Sequence, residues 1–322
     1  MSMTYSSDGA PAPLTPGGGI PVAPRGRRRD HVLAGLVGLL LAPVTLLLTG
    51  VTGHFASQGR LGLAAFHVLV LLVMVCACQA LFAARSSLGG LVAGLMALAG
   101  QLALICLADG AATVCPPWLP PVATTGVLLL TSALLTGGAW GMRSARRGGR
   151  EQARTALRLA QADRALGVTP SAPPSRRRAH LLTLALSVAA LALTLVILAR
   201  VPHAALDGTG QVSWGALAAA AGAFLLLAVT GAATGRSSLG ARATGIALIL
   251  ISLPVLVAPA WPDMPFHSLV DRLLAWAPDA MTLVSAGVLL SGIGWGSHLA
   301  RRQGHAEELA RARTAGLETS AA

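Results

Sequence analysis

Residues 61–89 read LGLAAFHVLVLLVMVCACQALFAARSSLG. From Leu61 to Ala84 no residue carries a formal charge. An apolar run of about 18 or more residues is long enough to cross a bilayer as a helix. Inside lipid the backbone must satisfy its own hydrogen bonds, so a helix is the state such a run adopts. The run stops at Arg85-Ser86-Ser87-Leu88-Gly89, and the same five letters recur at Arg236-Ser237-Ser238-Leu239-Gly240. A span and a duplicated turn thus stand side by side in one stretch.

Working outward, the sequence predicts eight such spans, near residues 31–50, 61–83, 88–108, 122–142, 180–198, 213–230, 243–260 and 280–296. No Asp, Glu or Arg lies inside them. Hydrophobic residues make up 54% of the 322, and charged residues only 11%. A soluble domain carries roughly 25% charged residues. Mean hydropathy is +0.68. The spans are rich in Leu, Ala, Val and Gly without alternation, which argues against a β-barrel. The expected fold is an all-α polytopic transmembrane bundle. All 24 basic residues are arginine. Schiff-base and phosphate-loop lysine chemistry is therefore absent.

Arginine placement predicts orientation. With the amino terminus inside, the inner segments hold 21 arginines and 7 acidic residues, the outer loops 3 arginines and 5 acidic residues. This puts both termini on the cytoplasmic side of the cell (inner or plasma) membrane. The cluster at Arg25, Arg27, Arg28 and Arg29 abuts a full-length apolar run, which reads as an uncleaved first span. A pI near 11.5 then reflects helix ends that face anionic inner-leaflet headgroups, and no nucleic-acid partner is implied.

Further matches support a duplication. Arg27-Arg28-Arg29-Asp30-His31 recurs as Arg176-Arg177-Arg178-Ala179-His180, and His54 as His203, at an offset of 149. LLTGGAWG at 134–141 recurs as LLSGIGWG at 289–296, an offset of 155, and ARTA at 153–156 recurs at 312–315. The eight spans read as two tandem parallel four-helix repeats, since each half has an even number of crossings. The expected organisation is a disordered segment at 1–24, a first repeat at 25–142, and a basic helix with Pro/Ser linker at 143–175. A second repeat at 176–297 and a helical tail at 298–322 complete it.

Candidate residues fall in three groups. The polar intramembrane residues are His67, Gln79, Gln101 and Thr230; such groups usually make interhelical hydrogen bonds and sometimes line a pathway. Gly90 and Gly94, Gly137 and Gly141, and Gly292 and Gly296 have the one-turn spacing that lets helices approach closely, within the chain or across a homo-oligomer. Cys106 and Cys115, at an outer end, form a candidate disulfide. Cys76 and Cys78 point in opposite directions on a helix and read as buried small apolar residues. Ser86 and Ser87, with Ser237 and Ser238, are candidate helix caps, and Glu307 and Arg311 have i, i+4 spacing. An interfacial helix is expected between the last two spans, with Phe266 and Leu269 on its apolar face.

No zinc spacing, nucleotide loop or nucleophile motif is present, so neither enzyme activity nor a cofactor is expected. The interior without charges points to a scaffold, accessory or partner-binding membrane component. The alternative is a transporter or channel for a small or lipophilic molecule, with its pathway between the repeats.

Overall fold

In a computed structural model, residues 27–106, 125–168, 175–201, 213–261, 268, 272 and 280–321 are described. The amino-terminal segment, His203, Cys115, most of the 168–175 linker and most of the 262–279 segment lie outside them. Among the described residues there are eight helices: α1 (Arg27–Ser57), α2 (Leu61–Ala84), α3 (Leu88–Cys106), α4 (Val127–Leu166), α5 (Arg177–Arg200), α6 (Trp214–Ala233), α7 (Leu239–Val257) and α8 (Ala280–Ala321). All but α4 are long and apolar enough to cross a membrane. In α4, Thr131, Ser132, Thr136, Gly137 and Gly138 dilute the apolar content, and Arg143 follows soon after.

The burial pattern is that of a bundle in lipid. Leu36, Leu40, Phe66, Val73, Leu182, Leu225 and Ile246 point outward on the peripheral helices. The helices α4 and α8 are central: Val127 to Leu135 of α4 are all buried, and so are Met281 to Leu290 of α8. Such all-round burial fits a helix with neighbours on every side. Helix α4 packs on α3, α6 and α8, and α8 packs on α2, α4 and α7. The remaining large contacts are α1 with α2 and α3, and α5 with α6 and α7. Lipid tails are as apolar as leucine, so the cohesion comes from close packing rather than from removing apolar surface from water.

Glycines set that closeness. A Cβ at Gly137 would overlap the Ala228 carbonyl of α6, and one at Gly141 the Thr234 hydroxyl. Gly292 meets Val75, and Gly296 meets the Gln79 Cβ at 3.0 Å, both on α2. Gly90 meets the Ala139 Cβ at 3.3 Å and Gly94 the Thr136 hydroxyl, both on α4. All six glycines thus face helices of the same chain.

Both α4 and α8 are longer than a bilayer's hydrocarbon core is thick. At 1.5 Å per residue, 40 and 42 residues span about 60 Å, against a hydrocarbon core of about 30 Å. Their second halves project together as a paired stalk. It begins where Gly149 of α4 lies on the Arg301 backbone and Gly304 of α8 lies on the Arg146 backbone, so tightly that a Cβ on either glycine would overlap a carbonyl oxygen. Helix α4 ends at Gly167, with φ of 65°, whose N–H donates to the Arg164 carbonyl while Val168 donates to that of Asp163. This is a left-handed glycine stop.

Candidate functional site

The arginine-rich end of the bundle carries the chain's polar chemistry. Its geometry starts at the two RSSLG turns. Ser86 is buried; its Oγ accepts from the Leu88 N–H and lies 2.8 Å from His31 Nδ1. Ser237, equally buried, accepts from the Leu239 N–H and lies 2.6 Å from His180 Nδ1. The first serine of each pair makes the turn bond, while Ser238 at the start of α7 makes no side-chain cap bond. Arg85, expected among headgroups, is paired with Asp30 at 3.1 Å.

Two arginines close the carboxyl ends of helices. Arg146 of α4 donates to the Ala83 carbonyl at the end of α2, and to Gln303 Oε1 at 3.0 Å. Arg301 of α8 donates to the Gly235 and Arg236 carbonyls just after α6. A cation there satisfies orphan carbonyls and complements the helix dipole. Burial lowers the Arg146 pKa; Glu307 opposes that and Arg150 adds to it. An arginine stays charged nonetheless. These two residues, like Gly149 and Gly304, were not singled out from the sequence. Their numbers differ by 155, the offset of the tryptophan-glycine motif, and extending that match by five to eight residues would have found them.

Around each turn lies a recess. One, of about 610 Å³, is lined by His31, Ser86, Arg143, Arg146, Arg150 and Glu307, among others. Its charges are partly neutralised within the chain. Arg150 donates from Nε and Nη2 to Glu307 Oε2, at 3.2 and 2.7 Å. The other, of about 640 Å³, is lined by His180, Ser237, Arg176, Arg242, Arg301 and Arg302, among others, and none of its described lining residues is Asp or Glu. A third cleft, of about 940 Å³, adjoins it and shares Arg176 and Arg301. Its walls combine Arg147, Arg236 and one carboxylate, Glu151, with Trp140, Leu182, Leu186 and Val229.

The stalk is bridged between its two helices as well as along one of them. Besides Arg150 and Glu307, Arg154 Nε donates to Glu308 Oε1 at 2.6 Å. Glu307 was expected to pair with Arg311, one turn on. The crossing at Gly149 brings Arg150 to Glu307 instead, and Arg311 turns to Glu308 at 3.3 Å.

The polar intramembrane residues are placed apart from these recesses. His67, half-buried on α2, has Nδ1 2.7 Å from the Leu63 carbonyl, and its ring lies 5.2 Å from that of Phe55. Gln79 is fully buried where α2 meets α8, and neither atom of its amide has a hydrogen-bond partner among the described residues. Gln101 is buried on α3. Thr230, buried on α6, donates to the Leu226 carbonyl at 2.9 Å. None of the three recesses is lined by any of these four. Cys106 is exposed at the end of α3, and its candidate partner Cys115 is outside the described residues.

Comparison with protein-family models, with curated proteins and with solved structures gives no match.

Proposed function

We propose that this chain is a non-enzymatic, cofactor-free membrane scaffold or accessory component that presents the α4–α8 stalk to a protein partner. Its two halves, 25–142 and 176–297, are tandem four-helix repeats of eight spans, with α4 the fourth. Both termini and the stalk are on the cytoplasmic side of the cell membrane. The repeat reading is supported by helix contacts that come in matching pairs: α1–α2 with α5–α6, α1–α3 with α5–α7, α3–α4 with α7–α8, and α2–α8 with α6–α4. The axis relating the halves then passes between α4 and α8.

One observation carries the functional reading. The two helices on the axis pack directly on each other, in the most extensive helix contact of the bundle. A pathway between repeats would need that place. The recesses at the arginine-rich end are not lined by Gln79, Gln101 or Thr230, which weighs against transport. The stalk, by contrast, displays exposed Leu159 and Leu166 beside charged residues, the mixture found at docking surfaces.

The test is photocrosslinking in native membranes from a reactive side chain at Leu159, with one at lipid-facing Phe66 as control. A defined protein adduct at Leu159 alone is the expected result. Adducts to lipid only, at both positions, would overturn the reading.

A further inference from the structure

The two recesses around the RSSLG turns share their serine, their histidine and their helix-closing arginine, yet differ in charge. At the first, Glu307 lines the recess and pairs with Arg150, and Arg85 of the lining pairs with Asp30 just outside it. At the matching offsets, 149 beyond Asp30 and 155 before Glu307, stand Ala179 and Gln152. The second recess therefore gathers Arg176, Arg242, Arg301 and Arg302 with no carboxylate among its lining residues. We propose that this recess binds a phosphate group, supplied by an anionic phospholipid or by a soluble phosphate compound.

The guanidinium groups are held for it. Arg301 is fixed on the Gly235 and Arg236 carbonyls, Arg176 on the Arg236 carbonyl at 2.8 Å, and Arg242 on the Ser238 hydroxyl at 3.3 Å. Each uses only part of its five N–H donors, so the rest remain for an anion. Arg302 makes no ion pair among the described residues. The start of α7 lies in the same recess, with Ser238 and Leu239 in its lining. A helix amino terminus adds positive potential there. Arginine forks pair bidentately with phosphate oxygens, and a phosphate offers four arginines more acceptor oxygens than the two of a carboxylate. The adjoining cleft favours a lipid source: it shares Arg176 and Arg301, then offers Leu182, Leu186 and Val229 to an acyl chain. A volume of about 640 Å³ is in the range of ligand pockets.

The full chain in nanodiscs tests this. Retained phosphatidylglycerol is measured by native mass spectrometry against phosphatidylcholine, and inorganic phosphate binding by calorimetry in phosphatidylcholine nanodiscs. The decisive variant is Gln152→Glu in the recess with Ala179→Asp in the adjoining cleft, which places carboxylates at the offsets of Glu307 and Asp30 and removes no arginine. It should weaken binding about tenfold or more, the scale of one lost charge-assisted hydrogen bond. Arg302→Gln, on an exposed side chain, should weaken it in the same direction. Phosphatidylglycerol retention sensitive to both variants identifies the lipid. Inorganic phosphate binding with that sensitivity identifies a soluble ligand. Binding of neither probe, or binding indifferent to both variants while thermal unfolding is unchanged, would overturn the proposal.

Discussion

Gly148 and Gly149 are adjacent on α4, yet alanine at the two positions should act with opposite sign. Nothing lies within 4 Å of a Cβ built on Gly148. There the substitution only removes the conformational freedom of glycine, a gain of about 0.5–1 kcal/mol in a helix. At Gly149 the same gain applies, but the new methyl group meets the Arg301 carbonyl and, at 3.0 Å, the His305 nitrogen. Both are backbone atoms of α8, so no side chain can swing away and the helices must part. Overpacking of this kind costs about 1–3 kcal/mol. Propensity cancels between neighbours, so Gly149→Ala should be less stable than Gly148→Ala by about 1–3 kcal/mol, roughly 5- to 150-fold in the folding equilibrium. Gly304→Ala should repeat the effect against Arg146, and the double variant should cost less than the sum, because the helices need part only once. Thermal unfolding of the full chain in mild detergent measures this. Equal stabilisation by both alanines would refute the tight crossing, and with it the closed axis between the halves.

The Arg150–Glu307 pair is about one-third exposed on each side, so Glu307→Gln should cost well under about 1 kcal/mol, and exchange of the two residues should restore most of the loss. A double-mutant cycle on unfolding would check it. In the stalk, beyond the apolar part of α8, the Arg154 hydrogen bond outweighs desolvation and holds the Glu308 carboxyl below its usual range. A carboxylate depressed in the folded state stabilises above its unfolded pKa and loses that contribution as pH falls through the folded value. Spin labels at Ala162 and Ala312, in a background free of native cysteines, should therefore stay close under mild acid and separate only below the ordinary carboxylate range. Glu308→Gln should abolish that step. Gln79→Leu removes a buried amide without partners and should raise thermal stability by about 1–3 kcal/mol. A fall instead would mean that the amide is bonded to something in the membrane, and would revive a transport role.

The spans were legible because lipid imposes a simple demand, about twenty apolar residues in a row; α2, α3, α5, α6 and α7 meet it within about four residues of the expected bounds, whereas α1 runs on to Ser57 and α8 continues unbroken past its apolar part to Ala321. Helix α4 was the harder case. Its hydroxyls and glycines face α3, α6 and α8, so it reads as less apolar while being enclosed on every side. The polar end was legible only in its charge. Glu307 has a plausible partner four residues away, and intrahelical spacing selects Arg311. The chosen partner, Arg150, is 157 residues distant, reached because Gly149 and Gly304 remove the side chains that would hold the helices apart. Sequence spacing carries no trace of a crossing between helices. The 155-residue offset does, since Arg146 with Arg301 and Gly149 with Gly304 share it.

That offset also separates what folding requires from what it leaves free. Both turns keep the histidine–serine bond, and both preceding helices keep an arginine on their terminal carbonyls. These contacts satisfy backbone groups at helix ends, where an unpaired carbonyl is costly, and the same contacts are made at both turns. The carboxylates recur in neither Ala179 nor Gln152, so the turn of the second half is built without them. The gathered guanidinium groups then repel one another at the edge of a low-dielectric region, where charges are poorly screened. In the first half the chain supplies its own counter-charge and the strain is relieved on folding. Around the second turn no described lining residue of the recess supplies that counter-charge, and the proposed phosphate ligand does. A bundle whose interior is held by glycine packing can carry that imbalance, because none of its interior contacts depends on the sign of the charge at its end.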